Sequence, residues 1–186
     1  MISNEKVTGL RIEFDYSEGD SRSWDNLTRM VCFHNRYKLG DKHSYNKNDY
    51  DSFEELREAI EENENVLVIK PLYLYDHSGL TISTEPFDCH FDSGQIGWVY
   101  VTKETQELTG APMDSLEEQL IGEVKTYDQE LRNDVYSFTC FKNGEVVDNC
   151  GGFYGTNIEE NGMLGHIPDE FIKLLEEHKV TEVVID

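Results

Sequence analysis

Apolar and polar positions alternate over residues 7–16 around Leu10, Ile12 and Phe14, and that period of two predicts a half-buried strand. A second apolar run, LTRMVCFH at 27–34, predicts another strand. The turn-rich SEGDSRSWDN between them suits a hairpin connection. Residues 35–50 are polar and are expected to form a mobile loop, with Tyr37 and Tyr45 as exposed or half-exposed rings. At Ser52 the pattern turns helical. Ser52 and Glu55 have the spacing of a capping box, in which each side chain takes a free backbone N–H of the first turn. Phe53, Leu56 and Ile60 then share one face of a helix over 53–62.

The strongest strand signal is VLVIKPLYLY at 66–75, where Pro71, lacking an N–H, marks an edge or a bulge. A turn at 76–79 and a short strand at 80–84 follow, the latter paired back on 66–75, and QIGWVYVT at 95–102 adds a further strand. Asp114 and Glu117 form a second capping-box pattern ahead of a helix over 115–131, whose inner stripe is Leu116, Leu120, Val124, Tyr127 and Leu131. Asn143-Gly144 between 135–141 and 145–150 is a hairpin signature. Pro168 opens a last helix over 169–178 with Phe171, Ile172, Leu174 and Leu175 inside, and 180–185 suits a closing strand. Strands in runs, joined by hairpins and separated by helices, predict the α+β class. The expected architecture is a mainly antiparallel sheet with three helices in a single domain spanning 1–186. Residues 109–113 are the nearest candidate for a hinge.

Charge changes this picture most. The chain carries 38 Asp and Glu against 16 Lys and Arg, a formal net charge of −22 on 186 residues. The acid is spread along the chain among aromatic and β-branched residues, so it belongs to the surface of a folded body and not to an acidic tail. Such a surface repels nucleic acid and attracts proteins with basic grooves. No apolar run reaches the roughly 18 residues of a membrane helix, and MISNEKVTGL has neither a basic leader nor an apolar core. Cys32, Cys89, Cys140 and Cys150 form no CxxC pair. A cytoplasmic protein with reduced thiols, bound to no cofactor and no membrane, is the expectation.

Three constellations could carry chemistry. The first is the block at 75–98, which gathers Asp76, His77, Ser78, Asp88, Cys89, His90, Asp92, Ser93 and Gln95. It could hold a Ser or Cys nucleophile with a His base, or a zinc ion, making the protein a hydrolase or a metal binder. Neighbours on a tight turn diverge, however, and Asp and Gly there serve turn geometry equally well, so a structural cluster of His77, Ser78, Asp92 and Gln95 is expected. NKNDYD at 46–51 lacks the glycine and the bidentate Glu of a calcium loop. The second is CGGFYG at 150–155, which matches no phosphate-binding pattern and suits a bulge that lets Phe153 and Tyr154 approach the sheet. The third is the carboxylates. Glu54, Glu58 and Glu62 recur at i, i+4 and i+8, widened by Glu55 and Glu61, while Glu117, Glu118, Glu123, Asp128 and Glu130 are outward candidates on the later helix. Rows of carboxylate on rigid helices can occupy a groove built for phosphates.

The motifs YDHSGLTIST at 75–84, DSGQIGWVYV at 92–101, TYDQEL at 126–131, DVYSF at 134–138 and CGGFYG at 150–155 together resemble a family of small acidic proteins of phages and other bacterial mobile elements. The resemblance spans about half the chain and marks a family without bringing catalytic residues. It implies a gene that travels with phage or plasmid and an anti-defence role. The resulting expectation is a non-enzymatic anti-CRISPR-type inhibitor acting in the bacterial cytoplasm. Its partner would be a nucleic-acid-targeting nuclease, a Cas9-type effector first and a restriction enzyme second, with no direct nucleic-acid binding. The expected partner-binding residues are Glu54, Glu58, Glu62, Glu117, Glu118 and Asp128, with Tyr37 and Tyr45 on the aromatic loop.

Overall fold

The computed structural model describes residues 8–16, 19–89 and 91–178. Contacts divide the chain into two compact units, Asp20–Arg132 and a second made of Met1–Gly19 with Asn133–Asp186.

In the unit Asp20–Arg132, strands β2 (Thr28–Cys32), β3 (Val66–Asp76), β4 (Leu80–Ser83) and β5 (Ser93–Thr102) form an antiparallel sheet in the order β2-β5-β3-β4. Helices α1 (Phe53–Asn63), α2 (Lys103–Thr109) and α3 (Leu116–Leu131) complete the unit. Side chains alternate across the sheet. Met30, Leu72, Val99 and Val101 join the α3 stripe of Leu116, Leu120, Val124 and Tyr127. Val31, Trp98 and Tyr100 face the other way, with Leu56 and Ile60 of α1. Covered on both faces, β5 is buried from Ile96 to Thr102, which is why it reads as nearly continuous apolar sequence. Trp98 is fixed by its indole N–H, which donates to the Phe53 carbonyl at 2.7 Å.

The other unit is a sheet in the order β1-β6-β7, from β1 (Gly9–Phe14), β6 (Val135–Lys142) and β7 (Glu145–Tyr154). Helix α4 (Asp169–His178) supplies Phe171 and Leu175 to a core with Tyr136, Phe138, Cys140 and Phe153. Asn143 (φ 56°) and Gly144 (φ 84°) make the tight β6–β7 turn, as the Asn-Gly pair predicts. Gly152 (φ 81°) lies in an irregular stretch of the β6–β7 register, and Phe153 beside it is buried as expected of the glycine cluster.

The structure corrects the expected fold. The class is α+β, but the described residues form four α-helices and two antiparallel sheets where three helices and one sheet were expected. The strands at 66–75 and 95–102 belong to one sheet, and those at 135–141 and 145–150 to the other. Alternation reveals a strand and which face it buries but not its partner. Thus β1 and β2, expected as a hairpin, pair with β6 and β5 in separate sheets. The extra helix, α2, is a short one closed by a Thr102–Thr105 capping box and by Gly110 in the left-handed region. The Asp114–Glu117 box does not form: a short 3₁₀ turn at Met113–Ser115 precedes α3, and Ser115 Oγ donates to the Pro112 carbonyl. At α1 the box is half made. Ser52 Oγ accepts the Glu55 N–H, while the Glu55 carboxylate accepts from Asp51, one residue early. Pro71 is both edge and bulge: β4 covers only Tyr73–Asp76 of β3, and the β3–β5 register slips between Leu72 and Tyr73. The strand expected at 180–185 lies outside the described residues.

Candidate functional site

The acidic strip of α1 is on the surface. Glu54, Glu58 and Glu62 are exposed, as are Glu55 and Glu61. Leu56 and Ile60 anchor the opposite face, so the helix presents its carboxylates from a fixed base. Its one cation, Arg57, pairs with Glu54 at 3.4 Å and Glu61 at 3.2 Å and lies over the Trp98 ring. Five Glu and one Arg leave four net negative charges on an 11-residue helix. At about 1.5 Å per residue that is roughly one charge per 4 Å, close to the one phosphate per about 3.4 Å of a single DNA strand.

Helix α3 presents far less. Glu117 and Glu118 are exposed, and Glu117 holds Lys70 at 2.7 Å. Asp128, expected to face outward, is 14% exposed; it accepts the Ile82 N–H at 2.8 Å and pairs with Arg132 at 3.4 Å. Glu130 accepts the Ser21 N–H, and Glu123 accepts the N–H groups of Leu27 and Thr28. Their positions on the helix turn these three acids toward backbone donors that need an acceptor.

Glu123 belongs to a network that sequence reasoning missed. The Arg22 side chain, only 5% exposed, forks onto Asp41: Nε donates to Oδ1 at 2.9 Å and Nη2 to Oδ2 at 2.8 Å. It also donates to the Thr28 carbonyl at 2.8 Å and lies 3.5 Å from Glu123. Asp41 Oδ2 accepts the Met30 N–H, the Asp41 N–H donates to the Met30 carbonyl, and His43 Nε2 contacts the Cys32 carbonyl at 3.3 Å. These groups lie along the outer edge of β2, so the open ladder of an edge strand is occupied by side chains and loop backbone. Residues 35–50, expected as a mobile loop, are therefore pinned to β2; Gly40 N–H also donates to Tyr127 Oη at 3.0 Å. No period or motif signals such a network, because its members come from a turn, a loop and a helix far apart in sequence.

Tyr37 is half-buried, stacked on His34 at 5.0 Å with Arg36 over its ring, and Tyr45 is half-buried near Tyr50 on the α1 side. The two rings thus serve opposite faces of the sheet, against the expectation of one aromatic surface. Burial pushes the Cys32 thiol up to about 12, with Asp41 adding to the shift. Burial likewise pushes the Tyr127 hydroxyl up to about 12, against the Gly40 hydrogen bond.

In the block at 75–98, Asp92 is the hub. Its carbonyl accepts the Asp76 N–H, and its carboxylate lies 3.2 Å from His77 Nδ1 and 4.0 Å from Cys89 Sγ. Ser93 Oγ donates to the Cys89 carbonyl, and the Gln95 amide donates to Gly97 instead of joining the pair. Ser78 occupies the left-handed region at φ 58°, as a tight turn requires, and Asp76 pairs with Arg36. A nucleophile–base pair would bring Cys89 Sγ or Ser93 Oγ onto the imidazole. Here Asp92 contacts both His77 and Cys89. Among the described residues no group of three His, Cys, Asp or Glu is arranged to hold a metal, and no helix is long and apolar enough to cross a membrane; His90 lies outside them. No family model, curated protein or solved structure matches this chain.

Proposed function

We propose that this protein is a non-enzymatic inhibitor that lays the carboxylate strip of α1 into the phosphate-binding groove of a nucleic-acid-targeting nuclease. The observation that carries the reading is the exposed row Glu54, Glu58 and Glu62 on a helix whose other face is locked to the sheet. Its charge per length approaches that of a nucleic-acid strand, and it is held rigidly, so little ordering entropy opposes docking. A Cas9-type effector is the most concrete target, because its heteroduplex channel is positively charged. A restriction enzyme is the second, on the same electrostatics. The resemblance to acidic mobile-element proteins supports an anti-defence setting. Glu117, paired with Lys70, and Glu118 stand on α3, which packs on the opposite face of the sheet from α1; they and Asp128, bound to the Ile82 N–H, are not part of this surface.

The test is inhibition and association kinetics against a Cas9-type nuclease and a restriction enzyme at low and physiological salt. Glu54→Lys, Glu58→Lys and Glu62→Lys together should lower the association rate by about tenfold or more, with a smaller effect at high salt, since charge steers encounter. Inhibition unchanged by this triple reversal across the salt range would sink the proposal.

A further inference from the structure

The chain's basic residues are not scattered evenly. A quarter of its 16 Lys and Arg, namely Arg36, Lys38, Lys42 and Lys47, fall between His34 and Lys47, where Asp41 is the one carboxylate. Asp41 is already engaged by Arg22 and the Met30 N–H. Lys38, Lys42 and Lys47 line a cleft of about 510 Å³ whose walls also include Phe33, Tyr37, Leu39 and His43. All three lysines are exposed, and among the described residues none is ion-paired. That is unexpected in a protein with more than two carboxylates for every cation. Lys70, Lys103 and Lys142 each have a Glu partner. At the cleft wall, His43 Nδ1 is buried and without a hydrogen-bond partner.

We propose that this cleft binds a small phosphorylated organic molecule of the nucleotide type. Three lysines lining one cleft suit a ligand with several negative charges, which phosphoryl groups supply. Phe33, Leu39 and Tyr37 give the cleft an apolar and aromatic wall suited to a ring body. The volume falls within the roughly 300–1,000 Å³ of small-molecule sites. The backbone around the cleft is preformed: Asp41, Gly40 and His43 are all tied to β2 or α3. The cleft is independent of the α1 strip, so the two proposals stand or fall separately.

Isothermal titration of the full chain with ATP, and separately with inorganic pyrophosphate, tests this. ATP should bind saturably and more tightly than pyrophosphate. Lys38→Gln, Lys42→Gln and Lys47→Gln together should weaken ATP by about tenfold or more, because the neutral amide keeps the side chain's bulk and loses the charge. The control pair Lys125→Gln and Lys173→Gln, exposed elsewhere, should bind as the parent does. The proposal is overturned if ATP shows no saturable binding at millimolar concentration, or if the triple variant binds like the parent. Equal binding of pyrophosphate and ATP also overturns it, because the ring body then contributes nothing. If the parent self-associates and the triple variant does not, the cleft takes another chain's acid and the proposal also fails.

Discussion

Replacing Asp41 by Ala tests the seal along β2 most directly. The change removes both oxygens that Arg22 grips and the acceptor for the Met30 N–H. The guanidinium, 5% exposed, keeps Glu123 at 3.5 Å as its one ionic partner among the described residues. Breaking a buried ion pair from one side costs about 3–5 kcal/mol, because the remaining charge stays desolvated. Asp41 is 23% exposed, so water can replace part of what it supplies, and about 3 kcal/mol is the expected loss. For a unit of this size that lowers the melting temperature by roughly 10–15 °C. Urea unfolding followed by Trp98, buried in the same unit, is the assay. Arg22→Met combined with Asp41→Ala should cost less than the sum of the two singles, by at least about 1 kcal/mol, since neither charge is then stranded. An Asp41→Ala midpoint within experimental error of the parent would show that the network contributes nothing to stability, and strictly additive singles would show that Arg22 and Asp41 are not coupled.

The raised Cys32 and Tyr127 values give an alkaline prediction. Both groups are neutral when protonated, so their contribution is intact below the ordinary 9.0 and 10.0 and is lost as pH rises toward about 12; Cys32→Ser with Tyr127→Phe should flatten the fall in stability over that window. In native thiol labelling at pH 8, the half-buried Cys89 and Cys150 should react well before the buried Cys32 and Cys140, and equal rates for all would contradict the burial. Gly97→Ala should destabilise by about 3 kcal/mol in the urea assay, because a Cβ there overlaps the Val31 carbonyl on the neighbouring strand. Residues 20–132 produced alone should unfold cooperatively with a buried Trp98 fluorescence, and a molten spectrum would refute their independence.

What could be read in advance was local. The α3 stripe, the Asn143-Gly144 turn and the double role of Pro71 follow from periods and backbone rules that act within a few residues. The two sheets were not legible, since pairing β1 with β6 joins residues more than a hundred positions apart without any local mark. For the candidate surface, the α1 acids stand where amphipathicity puts them. The outward placement of Glu123, Asp128 and Glu130 failed because acidity alone does not distinguish a solvated carboxylate from one that satisfies a backbone N–H. Tyr37 and Tyr45 lie eight positions apart, yet they serve different cores because the loop between them follows the end of β2.

The chain's nesting sets an order of events during synthesis. Strand β1 leaves the ribosome about 120 residues before β6, with which it pairs, begins. At roughly 5–20 residues per second that is an interval of about 6–24 s. All of Asp20–Arg132 is made within it, including the Glu123 that closes the β2 edge, so this unit can finish folding while β1 is still an unpaired segment. A chain ended at residue 132 and released should therefore already carry the α1 strip in its final form, with the N-terminal strand still open to protease.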